Sequence, residues 1–270
     1  MGTSSSHGGP KGKNPLLPDD FIDAPENAPD DDNVQSNPKP QNNPETELWG
    51  NAKRQVSQLI NNSDRKIGPA LSSYVKAYGG GKGASSTAIS GKATTIKLGN
   101  FLSSISSQGI QNTLSQYNID YIGRPFQEVL SDLVNKLSPS PNTKEDAVAR
   151  NALLDTVEII YNEIDANDGS IEILDNLDDK KFNNIINTYI SAYIFQRFLN
   201  DLESRFEMYA SNEGSALQME KQIKDYISGA VDNKLIKNDF STIDFSSNLV
   251  KRIIDEIYND CYSVIEEALS

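Results

Sequence analysis

The chain has 270 residues, 37% of them hydrophobic and 8% aromatic, with a formal charge of −13. No apolar run approaches the roughly 20 residues of a membrane span, and the first residues lack the apolar core of a signal peptide, so no membrane is expected and the expected location is the cytoplasm. A single cysteine, Cys261, and a single histidine, His7, exclude an internal disulfide framework, a cysteine zinc cage and two-histidine metal motifs.

The charge is unevenly spread. Residues 1–45 carry a net −5, residues 46–140 a net +5 and residues 141–270 a net −13. Two roles compete for the basic middle: a surface for phosphate or nucleic acid, or a segment that lies against the acidic C-terminal part or is simply solvated. The excess is small and dispersed, which favours the second.

Residues 1–45 hold eight of the twelve prolines, four glycines and six asparagines, but only eight hydrophobic residues. That composition cannot bury enough apolar surface to offset about 1–2 kcal/mol of backbone entropy per ordered residue. The expectation is a flexible arm over 1–45, disordered or ordered by a partner, with polyproline II character around Pro38, Pro40 and Pro44. Within it, Leu16 and Leu17 stand between Pro15 and Pro18 as a docking anchor. Such an arm reaches about 150 Å when fully extended and averages about 36 Å end to end as a coil.

A helical body is expected over 46–270. Tyr78-Gly-Gly-Gly-Lys-Gly-Ala-Ser-Ser86 reads as a glycine-rich basic loop, a mobile connection between helices, followed by Gly91-Lys92-Ala93. The phosphate-loop pattern fails there: the required first glycine is Ser86, and Ala93 stands where Ser or Thr is needed. A looser anion contact at a helix N-terminus, with Lys82 and Lys92, remains the functional option for the basic 76–97 segment. Gly123-Arg-Pro125 opens a helix running through Leu137. Ser138-Pro-Ser-Pro-Asn142 then breaks the chain, with a sub-division of the body near 138–143, and Thr143 with Asp146 forms a capping box.

Ala149, Leu153, Val157, Ile160 and Ile164 make the next stripe. Asp165-Ala-Asn-Asp-Gly169 is a turn rather than a calcium loop, because the register puts Ile164 and Ala166 at ligand positions. From Phe182 through Ile186, Tyr189, Tyr193, Phe198 and Leu202 to Phe206, apolar residues recur at three and four for seven turns. The last segment repeats the pattern from Leu249 through Ile254 and Cys261 to Ile265. No sustained period-two run occurs, so the fold class is all-α, a multi-helix, bundle-like body. Cys261 on an apolar stripe reads as a buried, inert thiol. His7 has no fixed partner for nucleophile chemistry, and the pairs Asp255/Glu256 and Glu266/Glu267 read as solvated helix faces. No catalytic residue, metal site or cofactor of the chain's own is expected, and a non-enzymatic role follows.

The start of the chain carries its own chemistry. Met1-Gly2-Thr-Ser-Ser-Ser6 fits an N-myristoylation pattern, but one acyl chain without a polybasic helper anchors poorly. Removal of Met1 instead leaves Gly2 as an unhindered α-amine. With a reference pKa near 7.7–8.0, about one in ten such amines is uncharged at neutral pH, far more than for lysine. An amide-forming partner would find that terminus both selective and reachable.

The opening Met1-Gly-Thr-Ser-Ser-Ser-His-Gly-Gly-Pro-Lys-Gly12 with Pro15-Leu-Leu-Pro18, together with Tyr74-Val-Lys-Ala-Tyr-Gly-Gly-Gly81 and Asp146-Ala-Val-Ala-Arg-Asn-Ala-Leu-Leu154, resembles the QatB family, the B components of bacterial Qat anti-phage defence systems. The resemblance implies as neighbours a system ATPase, a TatD-like nuclease and a QueC-like enzyme that activates a 7-deazaguanine carboxylate with ATP and then forms an amide. It implies Gly2 as the modification acceptor. It also implies that Thr3, Ser4, Ser5, Ser6, His7, Gly8, Gly9 and Pro10 thread into the partner's active site. Two alternatives stay open: an unmodified scaffold joining the ATPase and QueC-like subunits, and a nucleic-acid-sensing module working through Lys76, Lys82, Lys92 and Lys97.

Overall fold

A computed structural model describes residues 44–62, 65–166, 170–209 and 213–268. Ten α-helices and two short 3-10 turns make up the order of elements, and no strand occurs among the described residues. The helices are α1 (Pro44–Asn61), α2 (Ile67–Ala77), α3 (Gly80–Ser86), α4 (Ile89–Gln108), α5 (Ile110–Gln116), α6 (Phe126–Leu137), α7 (Lys144–Asp165), α8 (Asp179–Tyr209), α9 (Glu213–Leu235) and α10 (Val250–Glu266). Residues 43–270 cluster as one unit. The all-α expectation therefore holds for the body. Pro44 and Glu45, expected in the arm with polyproline II character, instead open α1, and residues 1–43 lie outside the described residues.

The centre of the body is α8, which packs against α1, α4, α7 and α9. Its apolar spacing predicts one buried face, but every residue from Tyr189 to Phe195 is buried, and Arg197 and Phe198 follow. A helix surrounded by neighbours has no solvent face to leave polar. Around it, α7 buries Ala149, Leu153, Val157, Ile160 and Ile164, the stripe read from the sequence. The start of α7 is the expected capping box: the Asp146 N–H donates to Thr143 Oγ1 (3.1 Å) and the Thr143 N–H to Asp146 Oδ2 (3.0 Å). Pro125 stands at the N-cap of α6 rather than inside its first turn. The Ser138–Asn142 break joins α6 to α7, which pack on each other. Of the expected 165–169 turn, Asp165 ends α7 and residues 167–169 lie outside the described residues.

The glycine-rich stretch departs from expectation. It is no mobile loop, because residues 80–86 form α3, seated on α10 and α2. Gly79 and Gly80 take φ of +86° and +81° to turn the chain out of α2, a region open to glycine at little cost. A Cβ on Gly81 would overlap the Ser263 hydroxyl of α10. The glycines thus serve close approach and a sharp turn.

Close approach recurs in α4, where Gly91 lies against the Tyr193 ring and Gly99 against the Phe245 ring. Gly99→Ala is expected to lower stability by about 1–3 kcal/mol, as overpacked cores do. Gly229→Ala, at a helical position with open space around it, should raise stability by up to about 1 kcal/mol. Urea midpoints for the two variants check the pair, and a neutral Gly99→Ala would contradict the α4–Phe245 packing.

Candidate functional site

The acceptor Gly2, the strip Thr3–Pro10 and the anchor Leu16–Leu17 lie outside the described residues. Lys82 and Lys92 come together along one groove with Ser85, Ser86, Arg252, Asp255, Glu256 and Asn259. Lys92 Nζ sits 2.6 Å from Asp255 Oδ1, so this groove carries its own countercharge.

The N-termini of the helices in this basic middle segment are also filled from within. None of α3, α4 and α5 has a side-chain cap from its own N-cap residue. The Gly81 N–H of α3 donates to Glu266 Oε2 (2.8 Å). Ser90 and Gly91, in the first turn of α4, donate to the carboxylate of Glu145 at 2.8–3.1 Å. At α5, the Ile110 N–H donates to Asp175 Oδ1 (2.6 Å). Each carboxylate satisfies donors that a helix end leaves open and meets the positive end of the helix dipole. Glu266 and Asp255 are therefore not the purely solvated carboxylates expected. One closes a helix end and the other an ion pair.

Behind these caps lies a buried polar node that sequence reasoning missed. Arg197, 4% exposed, donates through Nη1 to the Ala84 carbonyl (2.9 Å) and Tyr262 Oη (3.2 Å), and through Nη2 to Thr87 Oγ1 (2.6 Å). Its guanidinium carbon stands 4.2 Å from the centroid of the Tyr78 ring, a cation–π contact. One turn on, Asp201 Oδ2 accepts from both Tyr74 and Tyr78 hydroxyls at 2.7 Å. Trp49 from α1 closes the cluster edge-on, 6.1 Å from Tyr74 and 5.1 Å from Tyr78. Side chains from α1, α2, α8 and α10 thus meet, together with the C-terminal end of α3. The available signal was an arginine one turn beyond Tyr193 on an otherwise apolar face, with Asp201 four residues later.

Titration in this region moves away from neutrality. Burial holds the phenols of Tyr74, Tyr193 and Tyr258 well above their ordinary value. It also pushes Tyr262 up to about 12 and the Cys261 thiol up to about 12. These groups stay neutral across the physiological range. The Tyr193 hydroxyl donates to Glu145 Oε1 (2.6 Å), and that of Tyr258 pairs with Thr95 Oγ1 (2.9 Å). Among the described residues no cluster of His, Cys, Asp and Glu is placed to hold a metal, and no helix is long and apolar enough to cross a membrane.

Fold and site together define an all-helical protein organised on a buried guanidinium, with acidic side chains committed to helix ends. Residues 79–265, from the turn before α3 nearly to the end of α10, match the family model described as Qat anti-phage system associated protein QatB. The chain belongs to that family, and so is a component of an anti-phage defence system. No curated protein and no solved structure matches it.

Replacing Arg197 by Met should remove about 2–4 kcal/mol of stability, since it strips the Ala84 carbonyl, Thr87 and Tyr262 of their donor. Hydrogen exchange should then accelerate first at the amides of α3 while those of α7 stay protected; uniform acceleration would argue against a local node. A second test uses pH. The Asp146 carboxyl is held below its ordinary 3.8, first by the Ser90 hydroxyl and then by Thr143. A lowered folded pKa adds stability above the unfolded value and loses it as pH falls through the folded one. The stability gap between wild type and Asp146→Asn should therefore be full at neutral pH and shrink below about pH 4. A gap independent of pH would show that the charge of Asp146 contributes nothing.

Proposed function

We propose that the chain serves its defence system as the acceptor in an amide-forming reaction, with the α-amine of Gly2 as the acceptor group. The observation that carries this reading is a glycine behind the initiator methionine, at the head of a Pro-, Gly- and Asn-rich stretch with few apolar residues. The resemblance at the opening residues supplies the donor: a QueC-like subunit that activates a 7-deazaguanine carboxylate with ATP. The amine nitrogen attacks the activated carboxyl carbon, the activating group leaves, and the amine gives up a proton. Glycines at 8 and 9 let the strip Thr3–Pro10 lie close to an enzyme surface. Leu16 and Leu17 would anchor the strip.

A second reading is favoured by a different observation. The family match spans α3–α10 and leaves out residues 1–78. Within the match, Ile89, Ile122, Leu154, Ile236 and Leu249 are large apolar residues left exposed. Those features support a scaffold that joins the ATPase and QueC-like subunits without being modified.

Intact mass and N-terminal peptide mass separate the two. The protein co-expressed with an active QueC-like subunit should gain the mass of the deazaguanine acid less one water, on the peptide beginning at Gly2. Protein expressed alone, or with an inactivated partner, should not. Gly2→Pro should abolish both the added mass and defence while complexes still assemble. An unmodified terminus beside an active partner, with defence intact in Gly2→Pro, sinks the acceptor reading and leaves the scaffold.

A further inference from the structure

On the opposite side of the charge ledger from the Lys82–Lys92 groove is a second one, of about 580 Å³, between α1 and the C-terminal part of α8. Lys53, Arg54 and Arg65 line it from α1 and the residues just after it, Arg205 lines it from α8, and no carboxylate does among the described residues. In a chain of net −13 this is unusual. The Lys82–Lys92 groove contains Asp255 and Glu256; this one contains amides and hydroxyls instead.

Two of the groove's four cations are held by neutral partners. Arg54 Nη2 donates to Asn51 Oδ1 (2.8 Å) and Arg65 Nη1 to Gln58 Oε1 (2.6 Å). Such bonds orient a guanidinium without cancelling its charge. Among the described residues none of the four lies within salt-bridge distance of a carboxylate; the ion pairs there belong to Lys92, Arg124, Lys234 and Arg252. Arg205 adds an independent sign. Its Nε is buried and has no hydrogen-bond partner, an arrangement that costs stability unless something accepts from it. Gly50 gives a further one. It sits inside α1 on the groove wall, where a side chain would meet nothing within 4 Å. Internal packing does not demand a glycine that weakens a helix by up to about 1 kcal/mol, whereas a ligand backbone passing close to the helix would.

We propose that this groove binds the phosphate backbone of a single nucleic-acid strand. Its cations are spread rather than focused: Lys53 and Arg54 stand on α1 about three turns before Arg65 in sequence. That arrangement suits phosphates in series better than one free phosphate. Among the described residues the lining holds no aromatic ring on which a base could stack, so recognition is of the backbone and independent of sequence. The Arg205 fork and the orienting bonds of Arg54 and Arg65 fit phosphate oxygens, which guanidinium groups engage in pairs.

Fluorescence anisotropy of the full-length protein with a labelled oligothymidylate strand tests this. Affinity should fall steeply between about 50 and 200 mM salt, as counterion release requires. Lys53→Gln with Arg54→Gln, both at exposed positions, should weaken binding at least about tenfold at low salt and reduce the salt slope by about 1.4, at 0.7 per cation lost from a single strand. Arg205→Lys should bind less tightly than wild type and more tightly than Arg205→Gln. Lys82→Gln with Arg252→Gln, in the other groove, should bind as wild type. The proposal is overturned by absent or salt-independent binding, or by equal loss in the Lys82/Arg252 variant. It is also overturned by a duplex binding more tightly than the strand, or by complete displacement with inorganic pyrophosphate, which would make a free phosphate the ligand.

Discussion

A seven-residue helix rich in glycine cannot hold itself together, because nucleation and glycine entropy both oppose it. In this protein α3 is such a helix, and much of the body is arranged to keep it. Glu266 of α10 takes an amide of its first turn, that of Gly81, and Arg197 of α8 takes the Ala84 carbonyl and the Thr87 hydroxyl at its far end. A carboxylate at the positive end and a guanidinium at the negative end oppose the helix dipole from both sides. Because those two charges belong to α10 and α8, keeping α3 helical also fixes the distance between the helices that bracket it. Ser72, whose hydroxyl donates to the Glu266 carbonyl (2.6 Å), ties α2 to the same point.

The same constraint explains the split of charge along the chain. Residues 46–140 are rich in glycine and serine, and the helices α3, α4 and α5 start without local caps. The groups that complete them, Glu266, Glu145 and Asp175, all come from the acidic C-terminal part, as does Asp255 opposite Lys92. The net +5 of the middle thus understates what it asks of the acidic part, because its helix N-termini are positive too without appearing in any residue tally. The choice between a partner surface and an internal counterpart resolves, for Lys92, toward the internal one.

What could be read in advance follows from the range of each interaction. The stripes of α7, α8 and α10 and the Thr143–Asp146 box depend on neighbours within four residues, so spacing alone carries them, except that Leu249, read into the last stripe, stands exposed at the N-cap of α10. Long-range partners leave no such trace. Nothing local to Gly80 or Ser90 announces that Glu266 or Glu145 will cap the helix, and a run of glycines without visible caps reads as a loop. The burial of α8 on all sides over residues 189–195 was hidden for a related reason. Periodicity reports contrast between faces, and Ser191 and Arg197 mimic a polar face although both are buried. The acceptor residues at the start of the chain were chosen from amine chemistry and resemblance, which concern reactivity rather than packing.

Two arginines on α8, eight positions apart, show how satisfaction separates structure from function. Arg197 is more deeply buried, yet its donors end on a carbonyl, a hydroxyl and a phenol, and its charge faces the Tyr78 ring. Every feature of its surroundings is accounted for by holding α3 and α10 in place. Arg205 is less buried, yet among the described residues its Nε–H has no acceptor and its groove no carboxylate. Burying a charged donor is unfavourable unless an acceptor compensates it. The more buried cation is the structural one, and the half-buried one with an unmet donor is where a ligand has something to supply. That inversion is why exposure alone is a poor guide to function in this body, and why donor-by-donor accounting points to the α1–α8 groove rather than to the larger polar node beside it.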